Sequence, residues 1–348
     1  MTLPSPVVAV TGLNATDNPG PGVAVIRALR ADPAFTGSIV GLAYDALDPG
    51  LYVPGLCDAA FLVPYPSTGR EAVFERLAEV CARVPVDVLM PTLDSELPAL
   101  LGQEARLEAL GVRTFLPARA SYDRRSKVHL SSLADAGIPV PPSRSVSTVD
   151  ALYGVVEALG LPLVLKGGLY GAEVVRDLGS AVAAFHRAAS QWGLPVVAQA
   201  FIDGDDANVC AVGDGVGGLV GAVAMRKLLL TPTGKGWAGV SVHDPALLAL
   251  AADVVRVLRW RGPCEVEVRR STSGELYLIE VNPRFPAWCD LCGPAGQPLV
   301  TAAVEWALGR HPRHTESRAG VAFVRASLNQ ITDLGALGSL STTGEWHP

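Results

Sequence analysis

The sequence has few charged residues and no long apolar run, and these two absences exclude several classes of protein. Charged residues make up 18% of the 348 positions, with 28 basic and 34 acidic side chains, so the formal net charge is −6 at pH 7. Proteins that bind nucleic acid normally carry a basic surplus or patch, and neither is evident. No stretch approaches the ~18 consecutive apolar residues of a membrane span, so none is predicted.

Cysteines are also scarce, and the N-terminus lacks the pattern of a signal peptide, since its apolar run is confined to Val7–Val10. The 6 cysteines are too few for a disulfide framework in a chain of this length. Cys289 and Cys292 have the spacing of a redox or metal motif, but no second pair completes a zinc set, so buried packing is favoured. These features predict a cytoplasmic enzyme.

What the sequence has is a hydrophobic fraction of 49%, enough for a large core, and a length typical of about two domains. Its first third alternates short β-branched runs with helical patterns, which predicts an open parallel sheet with helices on both faces. The expected strands are 7–10, 38–42 and 86–90, and the expected helices are 23–30 and 71–83.

Two segments leave the carboxyl ends of these strands, where open parallel sheets bind ligands. Residues 12–22 are glycine-rich and precede a helix, but prolines remove the N–H donors of a phosphate cradle, so a turn or a substrate loop is favoured. Residues 91–96 carry Asp94 and Glu96. These carboxylates either are solvated or face the cleft and contact a substrate ammonium.

The rest of the chain mixes helices and strands. A helix is expected over 122–136, ended by Gly137, and a strong strand over 162–166. From residue 196 onward the pattern is mostly strands, interrupted by one helix over 245–259.

The most informative stretch, residues 262–284, predicts two strands around a Ser-Gly turn. Alternation places Glu265 and Glu267 on one face of the first strand, and antiparallel pairing can bring Glu267 beside Glu280 and Asn282 of the second. Clustered carboxylates repel unless a cation neutralises them. Oxygen ligands without His or Cys suit Mg²⁺ or Mn²⁺.

Arg284 follows this cluster and supplies a fixed positive charge beside it. Such a guanidinium suits stabilisation of a transferring phosphoryl group or a tetrahedral oxyanion. The alternative is an ordinary surface hairpin with solvated carboxylates. The run Phe-Pro-Ala-Trp follows Arg284 directly, and its Trp288 is expected to line the acceptor pocket.

The run Glu-Val-Asn-Pro-Arg, residues 280–284, resembles the metal-binding core of the ATP-grasp superfamily. Residues 126–141, 162–166 and 196–206 resemble, in the same order, the family's lysine-bearing helix, its second nucleotide-binding strand and its adenine linker. The resemblance covers about residues 1–310 and looks closest to the branch with carbamoyl-phosphate synthetase, biotin carboxylase and amino-acid ligases. It implies a Rossmann-like parallel-sheet (α/β) domain followed by a two-lobed (α+β) ATP-grasp domain.

The resemblance also implies domain boundaries. These are a Rossmann-like domain at 1–117, the lid with the first nucleotide-binding lobe at 118–195, the catalytic and metal-binding lobe at 196–310, and a C-terminal extension packed on the core at 311–348.

Each matching residue then has an implied role. Lys127 and Lys166 would contact the phosphates of ATP, with Lys166 and Arg284 as catalytic residues. The other implied nucleotide contacts are Gly167, Gly168, Gly171, Gln199, Ala200, Phe201 and Asp206, and the implied Mg²⁺ ligands are Glu267, Glu280 and Asn282. Arg226 would lie near a substrate carboxylate or phosphate. The loop after Lys166 departs from the common pattern, because it is short and carries Leu169-Tyr170.

The implied activity is that of an ATP-dependent carboxylate–amine ligase acting on an amino acid or small peptide through an acylphosphate. The alternatives are a bicarbonate-phosphorylating enzyme similar to carbamoyl-phosphate synthetase and a nucleotide-binding regulator without turnover. No nucleic-acid or membrane partner is expected. The oligomeric state stays open, although a homodimer is the commonest form among soluble oligomers.

Overall fold

A computed structural model of the chain describes residues 5–15, 18–168, 171–232, 234–314 and 316–348. Within those residues the strands form three sheets, of five, four and six strands. The predicted combination of a parallel α/β sheet with α+β lobes is confirmed. No helix in these ranges is both long and apolar enough to cross a bilayer.

The N-terminal region is built on a parallel sheet with the order β3-β2-β1-β4. Its strands are β1 (Val7–Val10), β2 (Ser38–Ala43), β3 (Ala59–Leu62) and β4 (Val88–Met90), and its helices are α1 (Pro21–Ala31), α2 (Arg70–Arg83), α3 (Leu97–Leu100) and α4 (Glu104–Ala109). Proline fixes φ at the first position of α1, whose face with Val25, Ile26 and Leu29 is buried. Strand β3 was not predicted from the sequence.

The segment predicted as one helix over 122–136 is interrupted, and this prediction was wrong. Helix α5 (Arg119–Arg124) ends early, and a separate 3₁₀ helix covers Leu130–Ala136. Between them the Ser126 hydroxyl and the His129 ring share a hydrogen bond of 2.9 Å, and the chain makes two successive tight turns there. Such local side-chain bonds compete with helical ones. Gly137, at φ +83°, ends the segment as predicted.

The second sheet has four strands, in the order β5-β8-β6-β7, with its own small core. Its elements are β5 (Ser143–Val146), α6 (Val149–Leu159), β6 (Leu163–Lys166), β7 (Ala172–Val175), α7 (Leu178–Trp192) and β8 (Val196–Ala200). Leu163 and Leu165 point into this core, so Lys166 at the end of β6 lies on the opposite face.

The third sheet is antiparallel, in the order β13-β12-β9-β10-β11-β14. Its elements are β9 (Gly204–Asp214), β10 (Leu219–Leu230), β11 (Gly236–Val242), α8 (Pro245–Leu258), β12 (Arg261–Ser271), β13 (Leu276–Asn282), α9 (Leu299–Ala307) and β14 (Ala322–Val324). After α10 (Leu334–Thr343), strand β15 (Glu345–Trp346) returns to pair with β3 of the first sheet.

One hydrophobic core joins the first and third sheets. Val10 and Ile26 from the N-terminal region share it with Met225, Phe285 and Leu299. The carboxyl ends of the parallel strands are thereby packed next to the end of β13. This arrangement brings the loop after β4 to the residues that follow Asn282.

Candidate active site

The site is organised by the hairpin of β12 and β13. Its register sets Glu267 opposite Glu280 and Glu265 opposite Asn282. Because opposite residues of an antiparallel pair share a face, all four side chains lie on the same side of the sheet. Gly274, at φ +92°, allows the turn that joins the strands. The predicted hairpin and its pairing are confirmed.

Glu265 is buried and held by four donors. Its Oε1 accepts from Asn208 Nδ2 and from Trp288 Nε1, both at 2.8 Å. Its Oε2 accepts from Asn282 Nδ2 at 3.2 Å and from Arg284 Nη1 at 3.0 Å. Burial raises the pKa of Glu265, but Arg284 and the other donors outweigh burial and hold it below its usual range. This carboxylate therefore orients its neighbours instead of presenting a free oxygen.

Glu267 lies two residues further along the same strand and has far fewer hydrogen-bond donors around it than Glu265. It accepts one hydrogen bond, from Asn282 Nδ2 at 2.8 Å. Burial, followed by the charge of Glu265, raises its pKa to about 7. A buried carboxylate next to other carboxylates gains from a cation, and the oxygens of Glu267, Glu280 and Asn282 form a donor set that Mg²⁺ accepts. The residues present therefore fit such an ion.

Protein side chains alone would not complete the coordination of the cation. In the described part of the chain no group of three or more His, Cys, Asp or Glu side chains is arranged to hold a metal ion. Two carboxylates and one amide leave positions for other oxygens, and Mg²⁺ commonly fills these with water and substrate phosphates.

Two lysines approach the hairpin, Lys127 from the turns after α5 and Lys166 from the end of β6. Lys127 Nζ lies 3.4 Å from Glu280 Oε1. Lys166 Nζ donates to the carbonyl of Ile279 at 3.4 Å, and only 4% of the residue is exposed. Burial lowers the pKa of Lys166 to about 8, against the attraction of Glu280. Both ammonium groups therefore lie beside the carboxylates that would hold a cation.

Arg284 connects the hairpin to the N-terminal region. Its Nη1 contacts Glu265, and its Nε lies 3.5 Å from Asp94 Oδ2. Asp94 belongs to the loop after β4, at the carboxyl edge of the parallel sheet. Burial alone would lower the pKa of Arg284, but the charges of Asp94 and Glu265 outweigh burial and raise the pKa above its usual value. The guanidinium therefore stays charged.

The sequence prediction for Glu96 needs correction. Its carboxylate is 3% exposed and accepts from the hydroxyls of Thr11 and Tyr44 and from the backbone N–H groups of Thr92 and Leu93. All four of these donors belong to the N-terminal region. Glu96 therefore ties two strand ends together and does not face a substrate.

The predictions for Arg226 and Trp288 also change. Arg226 is exposed, whereas Lys227 lies on the other face of β10, near enough to lower the pKa of Glu267. Sequence reasoning missed Lys227, although strand alternation alone offered the signal that only one of the two basic residues can face the carboxylates. Trp288 is 5% exposed and holds Glu265, so its indole is not a pocket wall.

The remaining predicted nucleotide contacts lie around β6, β8 and β9. Gly167 N donates to Gly171 O at 3.3 Å across the loop after β6, and Gly168 has open space at its Cα. Leu169 and Tyr170 fall outside the described residues. Ala200 and Phe201 lie at the end of β8, and Asp206 Oδ1 pairs with Arg269 at 2.7 Å.

Gln199 differs from these residues because its side chain is buried in the second sheet, where it donates to Ser143 Oγ at 3.1 Å. Its predicted contact with adenine stays a prediction, as do the other nucleotide contacts.

The surroundings of the cysteine pair and of the glycine-rich segment indicate that both have structural roles. Cys289 and Cys292 are buried free thiols, and burial raises the pKa of Cys289. In residues 12–22, a Cβ at Gly22 would lie 1.8 Å from Thr11 O, so this turn packs tightly against β1. Thr16 and Asp17 lie outside the described residues.

The chain is similar to several known proteins, although no family model matches it. It is 24% identical over 246 residues to a phosphoribosylamine–glycine ligase of Synechocystis, covering 63% of this chain and 59% of the relative. It is 29% identical over 201 residues to a D-alanine–D-alanine ligase of Marinobacter nauticus, covering 54% and 61%. The chain thus spans less than two thirds of the length of either relative.

A solved structure covers more of the chain. The biotin carboxylase domain of 2-oxoglutarate carboxylase from Hydrogenobacter thermophilus, solved as a dimer with MgADP and bicarbonate, superposes with a TM-score of 0.69 at 16% identity. The match includes 91% of this chain and 73% of that one. At this level of identity the likeness establishes a shared fold.

Proposed function

The chain has the ATP-grasp fold, and we propose that it is an ATP-dependent carboxylate–amine ligase that forms an acylphosphate and releases ADP and phosphate. One observation carries the proposal. The hairpin pairs Glu267 with Glu280, Lys127 and Lys166 lie beside its second strand, and Arg284 contacts the neighbouring Glu265. This is the arrangement of charges that transfer of a phosphoryl group requires.

In the first step a carboxylate oxygen bonds to the γ-phosphorus of ATP, and the bond from that phosphorus to the bridging oxygen breaks, leaving ADP. Lys127 and Lys166 would hold the phosphate oxygens, and Lys166 is mostly protonated at neutral pH because its pKa is about 8. Glu267, Glu280 and Asn282 would hold the metal. When bound, Mg²⁺ would neutralise negative charge on the phosphates.

In the second step the amine nitrogen bonds to the acyl carbon, phosphate leaves and the nitrogen loses a proton. Arg284 is positioned by Glu265 and Asp94, so its guanidinium direction is fixed before the substrate arrives. A preorganised cation stabilises the tetrahedral oxyanion without reorganising during the reaction. Positioning and electrostatics thus supply the catalysis.

The proposed substrates are small molecules, with an amino acid as one partner. Both curated relatives have names that include an amino acid. We extend the proposal to a cytoplasmic homodimer. All 6 cysteines are free thiols, as in proteins of a reducing compartment, and the biotin carboxylase domain was solved as a dimer.

The test is ADP release from MgATP, screened against pools of amino acids and other carboxylic acids with and without amines. We expect one pool to stimulate release and Arg284→Ala to abolish the stimulation. Arg256→Ala, which removes an exposed arginine on α8, is the matched control. Stimulation that survives in Arg284→Ala, or the absence of turnover and of ATP binding, would overturn the proposal.

A further inference from the structure

The face of the sheet that carries the hairpin carboxylates continues past them to an ion pair. Glu265, Glu267 and Arg269 alternate along β12 and share this face, because the residues between them are buried in the core on the other face. Strand β9 runs beside β12 and places Asp206 opposite Arg269. The pair of Asp206 and Arg269 therefore lies about 7 Å further along the strand than Glu267.

The order of residues along β12 sets the direction in which a bound nucleotide would extend. Glu265, at one end, binds Arg284 beside the proposed reaction centre. Glu267, in the middle, would hold the metal on the phosphates. The γ-phosphate is the end of ATP that reacts, so the rest of the nucleotide extends away from Arg284 and towards Arg269. The group that follows the phosphates is the ribose, which presents hydroxyl donors.

Asp206 has one oxygen bound to the protein and a second one available. Its Oδ1 accepts from Arg269 Nη1 at 2.7 Å, and none of the described residues donates to its Oδ2. The side chain is 36% exposed. A carboxylate repels phosphate, but it accepts hydrogen bonds from ribose hydroxyls, as acidic residues do in other nucleotide sites. The chemistry of Asp206 thus suits the ribose.

Arg269 is fixed by three contacts. Its Nε donates to the carbonyl of Ile202 at 2.6 Å, its Nη1 donates to Asp206, and its Cζ lies 5.3 Å from the centroid of the Phe201 ring. Phe201 and Ile202 follow β8 directly. The guanidinium therefore ties Asp206 to the segment after β8 and holds the carboxylate in one orientation. A side chain that is ordered before binding loses less entropy when the ligand arrives.

We propose that Arg269 is a positioning residue for ribose recognition, which binds Oδ1 of Asp206 and so directs Oδ2 towards the ribose hydroxyls of ATP. The site then selects a ribonucleotide over a deoxyribonucleotide. This inference rests on the proposed use of ATP and adds to it a residue that the sequence did not indicate. Because the charge of Arg269 is paired with that of Asp206, Arg269 is not proposed as a phosphate contact.

The test compares the binding of MgADP with that of its 2′,3′-dideoxy analogue by isothermal titration calorimetry. The two ligands carry the same base and phosphates, so the ratio of their affinities reports the hydroxyl contacts alone. The wild type should prefer ADP. Arg269→Ala should lower this preference roughly 3- to 10-fold, a part of what a hydrogen bond to a charged group contributes, and should leave the affinity for the dideoxy analogue unchanged.

Further variants show whether Arg269 acts through Asp206. Asp206→Ala removes the acceptor and should lower the preference roughly 10- to 100-fold. The double variant Asp206→Ala/Arg269→Ala should match Asp206→Ala, because the group that Arg269 positions is already absent. Arg270→Ala is the matched control, since this neighbouring arginine lies on the other face of β12 and pairs with Asp244. It should leave the preference unchanged.

The outcomes separate this inference from the proposed function. If Arg269→Ala weakens the binding of both ligands by the same factor, or changes neither, Arg269 does not position a ribose contact and the inference is wrong. Equal affinities of the wild type for the two ligands would also overturn it, while the use of ATP would stand. If the wild type binds neither ligand, the proposed function itself fails.

Discussion

At the scale of single residues, two neighbouring carboxylates of the hairpin have different tasks because their surroundings differ. Glu265 accepts four hydrogen bonds and has a lowered pKa, whereas Glu267 accepts one and has a pKa of about 7. Strand alternation predicts that both carboxylates lie on one face of the sheet. The sequence does not show which donors surround each of them. The difference arises chiefly from Arg284, together with Trp288 and Asn208, which donate hydrogen bonds to Glu265 and not to Glu267.

Lys166 provides a pH prediction at this scale. Its protonated form attracts phosphate, and its pKa of about 8 means that the charge is lost as pH rises through that value. Affinity for ADP should therefore fall from about pH 7 to about pH 10 by roughly tenfold, the range for loss of a charge-assisted hydrogen bond. Isothermal titration calorimetry with ADP measures this.

The control for that experiment is Lys166→Arg, because arginine keeps its charge over this whole range. Its ADP affinity should vary less with pH than that of the wild type. Identical pH profiles for the two proteins would show that Lys166 does not contact the phosphates.

At the scale of elements, sequence patterns with a fixed geometric period predicted the structure correctly. Strand alternation gave the pairing of Glu267 with Glu280, and the βαβ rhythm gave the parallel sheet. The helix expected over 122–136 failed because local side-chain bonds at Ser126 and His129 outcompeted helical ones. The prediction that Glu96 contacts a substrate was wrong because Thr11 and Tyr44, which bind its carboxylate, are brought to it only by folding.

Strand β10 offers a matched pair of variants. Lys227 faces the hairpin carboxylates, and Arg226 lies exposed on the other face. Lys227→Ala should reduce ATP turnover at least about tenfold, since a charge worth about 1.4 kcal/mol or more is removed from the site. Arg226→Ala should stay within about twofold of the wild type. Steady-state ADP release measures both, and equal effects of the two changes would place Lys227 outside the site.

At the scale of the whole molecule, the site depends on distant parts of the chain meeting. The loop after β4 supplies Asp94. The turns after α5 and the end of β6 supply the two lysines, and the hairpin with the residues that follow it supplies the carboxylates and Arg284. The core shared by the first and third sheets fixes two of these parts relative to each other. No local pattern in the sequence encodes that contact, so the partner of Arg284 was not predictable.

The C-terminal strand gives a stability prediction at this scale. Residues 345 and 346 pair with β3, Trp346 packs near Tyr52, and Arg83 pairs with Glu345. A chain that ends at Thr343 should lose about 2–4 kcal/mol of unfolding free energy, because an aromatic side chain and several hydrogen bonds are removed. Urea unfolding measures the change. A chain that lacks only His347 and Pro348 is the control, and equal stability of the two truncated proteins would contradict the prediction.

The central claim is that the chain transfers phosphate to a carboxylate before it forms an amide. The most direct measurement uses amino acids with ¹⁸O in their carboxyl groups, MgATP and the wild-type enzyme, with mass spectrometry of the released phosphate. The account predicts that one ¹⁸O moves from the carboxylate to each phosphate. Turnover that yields only unlabelled phosphate would contradict it.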